Sequence, residues 1–274
     1  MASKTTHVNI APETGTRPSP APGDSYVQSF ARGLEVIRSF RAEAPAQTLS
    51  DVAAHTGLTR AGARRILLTL QTLGYVQSDG RLFRLTPRIL DLGFAYLSSM
   101  PIWNLAEPVM EALRDEVKES CSTAVLDATD IVYVLRVPTH KIMSITLGVG
   151  SRLPAYCTSI GRVLLADLPD DEVMARLRAS DLRALTRSTL TDPDALLVRV
   201  RQARKQGWCL VNQELEEGLI SLAAPITNRA GRTVAALNIS GQANRTNAKV
   251  AQEELLPALQ QAARRISGLL SQKA

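Results

Sequence analysis

Between residues 48 and 85 the hydrophobic and polar positions follow first a helical period and then a period of two. Thr48 and Asp51 have capping-box spacing, which predicts that a helix begins at Leu49. Gly57 ends this helix, because a turn between helices needs a residue that tolerates positive φ. Thr59 caps a second helix. The apolar residues at the spacing of its buried face are Ala63, Ile66, Leu67, Leu70 and Leu73.

A hairpin follows the second helix. Tyr75 and Val76 begin a strand, and Asp79-Gly80 is a strong hairpin signal, so residues 81–85 are expected to return as the partner strand. Helix, short turn, helix and hairpin is the order of a winged helix-turn-helix, which is typical of DNA-binding domains.

The charges of this segment favour DNA as its partner. Arg60, Arg64 and Arg65 crowd the N-terminal half of the second helix, where the helix dipole disfavours cations. DNA phosphates and base edges account for that placement. Residues 25–86 hold eight arginines and four acids, so most of the net charge of +6 lies here. The alternative is a small helical domain with a solvated basic face. The predicted DNA contacts are Thr59, Arg60, Ala61, Gly62, Arg64, Arg65, Arg81 and Arg84.

Two further helices flank the predicted winged helix-turn-helix, which we call the head. Phe30, Leu34, Ile37 and Phe40 repeat at helical spacing and predict a first helix that packs behind it. Thr86 is expected to cap a helix that has Pro87 at its first position, and apolar residues continue at helical spacing to position 97. This second helix is too apolar to stand alone in water. It either docks on its own domains or pairs with a second copy, and pairing is favoured because DNA-reading modules commonly act as dimers.

Residues 104–270 alternate between helical periods and periods of two, which predicts an α+β domain on a mostly antiparallel sheet. The predicted helices are 104–119, 158–166, a helical region 170–206 closed by Gly207, and 247–270. The predicted strands are 123–127, 131–137, 142–147, 208–212, 219–227 and 232–240, with a turn at 228–231.

Composition is that of an ordinary globular protein, 45% hydrophobic and 21% charged over 274 residues. Residues 1–24 are rich in Pro, Ser, Thr and Gly and are expected to form a disordered tail. The three cysteines, Cys121, Cys157 and Cys209, match no disulfide or metal framework, and no His, Asp or Glu cluster has metal-ligand spacing. No signal core or membrane-length apolar run occurs. We therefore expect a cytoplasmic protein with no cofactor, metal or membrane partner.

Residues 148–161 contain the candidate chemistry of the second half. The segment GVGSRL at 148–153 lacks the third glycine and the following helix of a dinucleotide site. Cys157, Thr158 and Ser159 are candidate nucleophiles. His140 is formally available to Cys157, but no third group that would orient the histidine is indicated. A cysteine before a helix is more often packed or in contact with a ligand. An enzyme is therefore the weaker alternative.

The same loop leads into a helix N-terminus, whose free backbone N–H groups form a ready anion site. Ser159 adds a hydroxyl, Gly161 lets a ligand approach, and Tyr156 offers a ring for an aromatic body. A carboxylate is the natural ligand of such an anion site. The alternative is that this segment is an ordinary capped helix that binds no ligand. Arg136, at the end of the strand IVYVLR, or Arg152, in the loop, could pair with the acid, and the sequence leaves that choice open.

Several stretches together resemble the IclR family of transcriptional regulators. They are RGLEVIRSF at 32–40, the helix-turn-helix, LPAYCTSIGRVLLA at 153–166 and GRTVAALNIS at 231–240. Within that family the chain is most similar to regulators of aromatic-acid breakdown. The stretches that carry this are LTRAGARRILLTLQTLGYVQSDGRLFRLTPRILDLGFAYLSS at 58–99, ESCSTAVLD at 119–127 and IVYVLRVPT at 131–139. The resemblance covers nearly all of the chain after its first 31 residues.

The resemblance implies an effector domain of GAF-like or profilin-like fold, which binds its ligand at the 154–161 loop and on the facing strands. The effector classes that it implies are acids of the protocatechuate, 4-hydroxybenzoate or phthalate type, or a ring-cleavage product such as β-ketoadipate. Ile220 and Leu222 would face away from that site. The predicted effector contacts are Arg136, Tyr156, Cys157, Ser159, Ile160, Gly161, Val211, Ser221, Asn238 and Ser240.

We therefore predict a DNA-binding regulator of aromatic-compound catabolic genes, controlled by a small aromatic acid. Its expected partners are double-stranded operator DNA, the effector, and further copies of itself in a homodimer or a dimer of dimers. The alternative is an enzyme that acts on a small acid or ester through Cys157 or Ser159 and carries an accessory nucleic-acid domain. The predicted segments are a tail at 1–24, a winged helix-turn-helix at 25–86, a linker helix at 87–103 and an effector domain at 104–274.

Overall fold

A computed structural model of the protein describes residues 26–99, 102–139 and 147–273. These residues belong to two compact units, one before and one after position 100. The predicted tail, 1–24, and most of the predicted strand at 142–147 lie outside the described residues. Within the described ranges, no helix is both long enough and apolar enough to cross a membrane.

The first unit is a winged helix-turn-helix followed by one further helix. Its elements are α1 Gln28–Ser39, β1 Ala46–Thr48, α2 Leu49–Thr56, α3 Arg60–Thr72, β2 Val76–Ser78, β3 Leu82–Leu85, a 3-10 turn Pro87–Ile89 and α4 Leu90–Ser99. The three strands form an antiparallel sheet in the order β1-β3-β2.

The caps and turns predicted for α2, α3 and the hairpin are present. Thr48 accepts a hydrogen bond from the Asp51 N–H, and the Asp51 carboxylate accepts one from the Thr48 N–H, which completes the capping box. Gly57 ends α2 with φ 65°. Thr59 caps α3. Asp79 closes the hairpin, because its Oδ1 accepts hydrogen bonds from two backbone N–H groups of the returning strand.

Two details of the predicted helical faces are wrong. Phe30 on α1 is 68% exposed and Leu34 is also exposed, whereas Val36 is the fully buried residue of that helix. Leu73 is 51% exposed because α3 ends at Thr72 and Leu73 is already its C-cap. The core of the unit is formed by Val36, Val52, Ala53, Ala63, Leu67, Leu70 and Val76.

The entry into α4 also differs from the expectation. Thr86 makes no side-chain capping bond, because its hydroxyl donates to the Gly74 carbonyl at 2.6 Å. The chain then passes through the 3-10 turn before α4 begins. Large apolar side chains are exposed along α4. They are Leu90, Leu92, Phe94 and Tyr96.

The second unit is an α+β domain on one antiparallel sheet, as predicted. Its helices are α5 Ile102–Val117, α6 Ser159–Leu165, α7 Asp170–Ala179, α8 Pro193–Gln206, α9 Ala248–Val250 and α10 Leu256–Lys273, with a π-helical turn Ala251–Leu255 between the last two. Its strands are β4 Ser120–Asp127, β5 Asp130–Val137, β6 Arg152–Pro154, β7 Cys209–Asn212, β8 Leu219–Thr227 and β9 Thr233–Gln242, in the order β6-β5-β4-β9-β8-β7.

The sheet separates two layers of helices. Val211, Ala223 and Ala236 belong to one hydrophobic cluster with residues of α6, α7 and α8. Thr123 lies on the other face, where its hydroxyl contacts the Met110 sulfur of α5 at 3.2 Å. Successive residues of a strand alternate between these faces, so the sequence of each strand decides which side chains reach α6.

Candidate functional site

A cavity lies between the sheet and the N-terminal end of α6. Its lining combines polar side chains from three strands with apolar side chains from strands, loops and the helix. The lining residues are Tyr133, Arg136, Leu147, Cys157, Thr158, Ser159, Ile160, Val211, Leu215, Leu219, Ser221, Asn238 and Ser240. Eight of the ten predicted effector contacts are among them, and Tyr156 and Gly161 are not.

The register of the sheet brings the polar lining residues together. Ser240 on β9 lies opposite Ser221 on β8. In the neighbouring row, Ser122 on β4 lies opposite both Arg136 on β5 and Asn238 on β9. Side chains that lie opposite each other in adjacent strands share a face of the sheet. Arg136 and Asn238 therefore face the same cavity from either side of β4.

Asn238 organises a cluster of hydroxyl groups. Its Oδ1 accepts a hydrogen bond from the Ser122 N–H at 3.1 Å, which turns its Nδ2 toward the serines. Nδ2 donates to Ser221 Oγ at 3.0 Å and to Ser240 Oγ at 2.9 Å. Ser221 Oγ also lies 2.8 Å from Ser159 Oγ and 3.2 Å from Ser240 Oγ. We call Ser159, Ser221, Asn238 and Ser240 the serine–asparagine cluster.

The hydroxyl protons of this cluster cannot all be accepted by oxygen atoms within it. A hydroxyl oxygen accepts at most two hydrogen bonds, and one acceptor position of Ser221 is taken by Asn238. Ser159 and Ser240 therefore cannot both donate to Ser221. At least one of these two hydroxyl protons has no acceptor inside the cluster. The cluster accordingly suits a ligand that brings an oxygen acceptor.

The two predicted arginines behave differently. Arg152 is held by carboxylates, with Nη1 2.7 Å from Asp127 and Nη2 3.2 Å from Asp130. Arg136 lines the cavity. Of the two arginines that the sequence left open, Arg136 is among the lining residues and Arg152 is not.

Tyr156 does not offer its ring to the cavity, contrary to the expectation. It is buried, and its hydroxyl donates to the Arg183 carbonyl at 2.8 Å. Tyr133 lines the cavity instead, and burial raises the pKa of its hydroxyl to about 12, so that it remains a hydrogen-bond donor.

The role expected of Gly161 is also corrected. A Cβ atom at this position would lie 2.2 Å from the Ala155 carbonyl oxygen, so the glycine serves the close packing of the loop on α6. Its N–H donates to Thr158 Oγ1 at 3.2 Å and is not free for an anion. Among the N–H groups of the first turn of α6, those of Ser159 and Ile160 remain outside this cap.

A bulge explains why Tyr133 was missed. The pairing of β4 with β5 shifts between Thr123 and Ala124, so that Ala124 pairs with Tyr133 while Ser122 pairs with Arg136. Tyr133 and Arg136 therefore share a face although three positions separate them. Strict alternation along the strand places them on opposite faces. Of the other lining residues that were missed, two could have been found from the sequence. Leu219 lies two positions before Ser221, and Thr158 lies in the predicted 154–161 loop.

A buried ion pair holds α6 in place, and it too was missed. Arg162 contacts Glu214 through two N–O distances of 2.7 and 2.5 Å, and its Nε donates to the Tyr156 carbonyl. The Glu214 carboxylate also accepts a bond from the Leu190 N–H at 3.2 Å. These contacts fix the helix that carries Ser159.

Cys157 is unsuited to nucleophilic chemistry. Burial raises the pKa of its thiol to about 12, so the thiolate is scarce near neutral pH. The histidine that sequence reasoning offered as its base, His140, lies outside the described residues. In the described ranges, no group of three His, Cys, Asp or Glu side chains is placed to hold a metal ion.

The predicted DNA contacts lie on α3 and on the hairpin of the first unit. Arg60, Ala61, Arg64 and Arg65 are exposed. Thr59 Oγ1 accepts the Gly62 N–H at 3.1 Å, so these two residues also build the cap of α3. The remaining two contacts are the hairpin arginines.

Arg81 and Arg84 differ in their surroundings. Arg81 is exposed, whereas Arg84 Nη1 lies 3.2 Å from the Asp79 carboxylate. In the absence of DNA, the charge of Arg84 is therefore partly engaged within the hairpin. Exposed pairs of this kind are weak, so Arg84 is readily released to a stronger anion.

Two family descriptions match the chain in succession. The IclR helix-turn-helix domain matches residues 29–80, and the bacterial transcriptional regulator IclR C-terminal domain matches residues 94–268. The chain belongs to the IclR family. This confirms the resemblance noted in the sequence, and the family is one of transcriptional regulators, not of enzymes.

Among proteins similar to this IclR-family member, the Pca regulon regulatory protein of Pseudomonas putida is 43% identical over 240 residues, covering 87% of this chain and 82% of the relative. The p-hydroxybenzoate hydroxylase transcriptional activator of Acinetobacter baylyi is 33% identical over 252 residues, covering 90% and 93%. A crystal structure of an IclR homolog from Microbacterium hydrocarbonoxydans, complexed with 4-hydroxybenzoate, superposes with a TM-score of 0.79 at 26% identity, covering 88% and 98%.

Proposed function

We propose that this IclR-family regulator controls genes of aromatic-compound catabolism in the cytoplasm, and that a small aromatic acid or its ring-cleavage product binds the cavity beside α6. The observation that carries the proposal is that Arg136 and the hydroxyl donors of the serine–asparagine cluster line the same cavity from either side of β4. The names of two relatives support it, a Pca regulon regulatory protein and a p-hydroxybenzoate hydroxylase transcriptional activator.

The cavity suits such a ligand chemically. A carboxylate forms charge-assisted bonds with a guanidinium, and hydroxyl groups with a surplus proton donate to a further oxygen of the ligand. Ile160, Val211 and Leu219 supply apolar surface for the carbon skeleton between these polar ends. Mostly apolar walls with a few convergent polar groups are typical of small-molecule sites. The cavity measures about 30 Å³ in this structure, so its walls must move apart to admit an aromatic acid.

The other partner is double-stranded operator DNA. In the proposal, the N-terminal half of α3 enters the major groove with Arg60, Arg64 and Arg65, and the hairpin arginines hold the phosphate backbone. The support is the exposure of the three α3 arginines and their position where the helix dipole alone would favour acids.

Self-association completes the proposal. The exposed apolar side chains of α4, which include Leu90 and Phe94, suit pairing with a second copy. A dimer, alone or as a dimer of dimers, would place two heads on two half-sites of an operator. The proposed segments are a tail at 1–24, the winged helix-turn-helix at 25–86, the linker helix at 87–103 and the effector domain at 104–274.

Control by the effector requires a difference in binding. The acid must bind one arrangement of the dimer better than another, since otherwise it cannot change DNA affinity or promoter geometry. The cavity and α3 lie in different units, so the proposal assigns the two binding events to separate domains.

Fluorescence anisotropy tests the proposal. Labelled DNA from upstream of the protein's own gene and scrambled DNA are titrated at two salt concentrations, with and without 4-hydroxybenzoate, protocatechuate or β-ketoadipate. We expect tighter binding to the upstream DNA that persists at higher salt, and a shift with at least one acid. Equal binding to both DNAs that vanishes with salt, together with indifference to every acid, would contradict the proposal.

A further inference from the structure

The outward face of α3 carries an apolar ridge between its arginines. On a helical wheel, Ala61, Leu68 and Thr72 lie at the centre of the exposed face, and Arg64 and Arg65 lie on either side of them. All five residues are exposed, and Leu68 retains 40% of its accessible surface. The part of the helix that points furthest from the core is therefore not charged.

The threonines near this ridge keep their hydroxyl protons on the helix itself. Thr72 Oγ1 donates to the Leu68 carbonyl at 2.9 Å, and Thr69 Oγ1 donates to the Arg65 carbonyl at 2.9 Å. Neither proton is available to a base edge while these bonds persist. The centre of the exposed face in this half of the helix is therefore carbon, from Leu68 and the Thr72 methyl group, while the exposed Gln71 lies to one side of it.

We propose that Leu68, with Thr72 beside it, contacts the C5-methyl groups of operator thymines. This inference rests on the proposed DNA-reading function of α3. The thymine methyl is the apolar group that base pairs present in the major groove, and aliphatic side chains recognise it by contact. Hydrogen-bonding base edges would lose water against Leu68 without gaining a partner, so they are disfavoured there.

The spacing of the ridge separates such a thymine from the bases at the start of the helix. Ala61 and Leu68 are seven positions apart, which corresponds to about 10 Å along the helix axis. The thymine should therefore belong to a different base pair from those that meet the N-terminal end of α3.

Uracil substitution isolates the methyl group. Full-length protein first selects its preferred sites from a random duplex library. Each thymine of the enriched half-site is then replaced by deoxyuridine, which pairs identically but lacks the methyl, and binding is measured by anisotropy. For the wild-type protein we expect one or two positions at which the replacement weakens binding about fourfold, as for loss of one buried methyl.

Two variants assign that loss to a side chain. Leu68→Ala should bind the thymine site more weakly and become indifferent to the replacement. Leu73→Ala is the matched control, because Leu73 is also exposed but lies at the C-cap of α3, on another side of the helix. It should keep the wild-type response. Both changes replace exposed leucines by the best helix former, and circular dichroism checks that each variant is folded.

The outcomes separate the inference from the function on which it rests. If selection enriches no sequence, the proposed sequence reading fails, and the inference about Leu68 fails with it. If selection succeeds but every deoxyuridine site binds the wild-type protein as the thymine site does, only the role of Leu68 is overturned. A methyl dependence that persists undiminished in Leu68→Ala overturns it equally.

Discussion

The guanidinium of Arg162 and the carboxylate of Glu214 face each other through two short contacts of 2.7 and 2.5 Å, and both side chains are almost fully removed from water. The pair joins α6 to a loop 52 positions further along the chain. Because Ser159 lies one turn before Arg162, this pair holds the helix end that faces the cavity.

Removal of one partner of this pair should destabilise the second unit strongly. Glu214→Ala leaves a buried guanidinium without its counter-charge, and loss of about 3–5 kcal/mol of unfolding free energy is expected. Urea denaturation of the full chain measures it. The control is Arg201→Ala, which breaks an exposed contact with Asp170 and should cost about 1 kcal/mol or less. Equal effects of the two changes would refute the structural role of the pair.

Gly161→Ala should also destabilise the domain. The new Cβ would lie 2.2 Å from the Ala155 carbonyl oxygen, so the loop has to move, at an expected cost of about 1–3 kcal/mol. Gly268→Ala is the matched control, because that helical glycine has no neighbouring atom within 4 Å of the added carbon. It should stabilise the chain by up to about 1 kcal/mol. Thermal unfolding compares the two, and a tolerated Gly161→Ala would show that the packing is looser than described.

The capping box predicts a pH dependence. Hydrogen bonds from the Thr48 side chain and backbone hold the pKa of Asp51 below its ordinary value of 3.8. A depressed carboxyl pKa contributes stability above the unfolded value, and that contribution is lost as the pH falls through the lowered value. In an NMR titration, Thr48→Val should raise the pKa of Asp51 toward 3.8, and Thr48→Ser should preserve the lowering. An unchanged pKa in Thr48→Val would contradict this account.

The three cysteines should react slowly with thiol reagents in the native protein. Burial raises the pKa of Cys121 and Cys157 to about 12 and that of Cys209 to about 11, so little thiolate is present at pH about 8. Titration with a disulfide reagent should detect all three thiols in denaturant and essentially none within minutes without it. A fast native thiol, located by mass spectrometry at Cys157, would reopen the question of nucleophilic chemistry.

Arg65→Ala should separate DNA binding from effector binding. Arg65 is exposed on α3 in the first unit, whereas the cavity lies in the second. We expect specific DNA binding to be lost while acid binding is unchanged. Anisotropy and calorimetry on the same preparation measure both. Loss of both together would indicate misfolding or a wrong assignment of the head.

Local chemistry made the head predictable from sequence. The caps at Thr48 and Thr59, the left-handed Gly57 and the Asp79 turn depend on residues within a few positions of each other. The short strands β1 and β6 were not predicted. Each has only three residues, too few for a period of two to be recognised, and each forms by pairing with a longer strand.

The cavity needed long-range information. The resemblance of the chain to known regulators pointed to Ser221 and Asn238, but no local pattern indicates that Arg136 lies in register with Asn238 across β4. The β4–β5 bulge, which brings Tyr133 to the same face, is equally invisible to a strict alternation rule. Such relationships depend on strand pairing between residues that are far apart in the sequence.

Isothermal titration calorimetry tests whether an acid binds between Arg136 and the serine–asparagine cluster. The wild-type protein, Arg136→Gln and Arg152→Gln are titrated with 4-hydroxybenzoate, protocatechuate and β-ketoadipate. We predict that at least one acid binds the wild-type protein. Arg136→Gln should lower the affinity for that acid about tenfold or more, as for loss of a charged hydrogen bond. Arg152→Gln should bind as the wild type does, because its charge is engaged by Asp127 and Asp130. Unchanged affinity in Arg136→Gln, or no binding of any acid to the wild-type protein, would contradict the account.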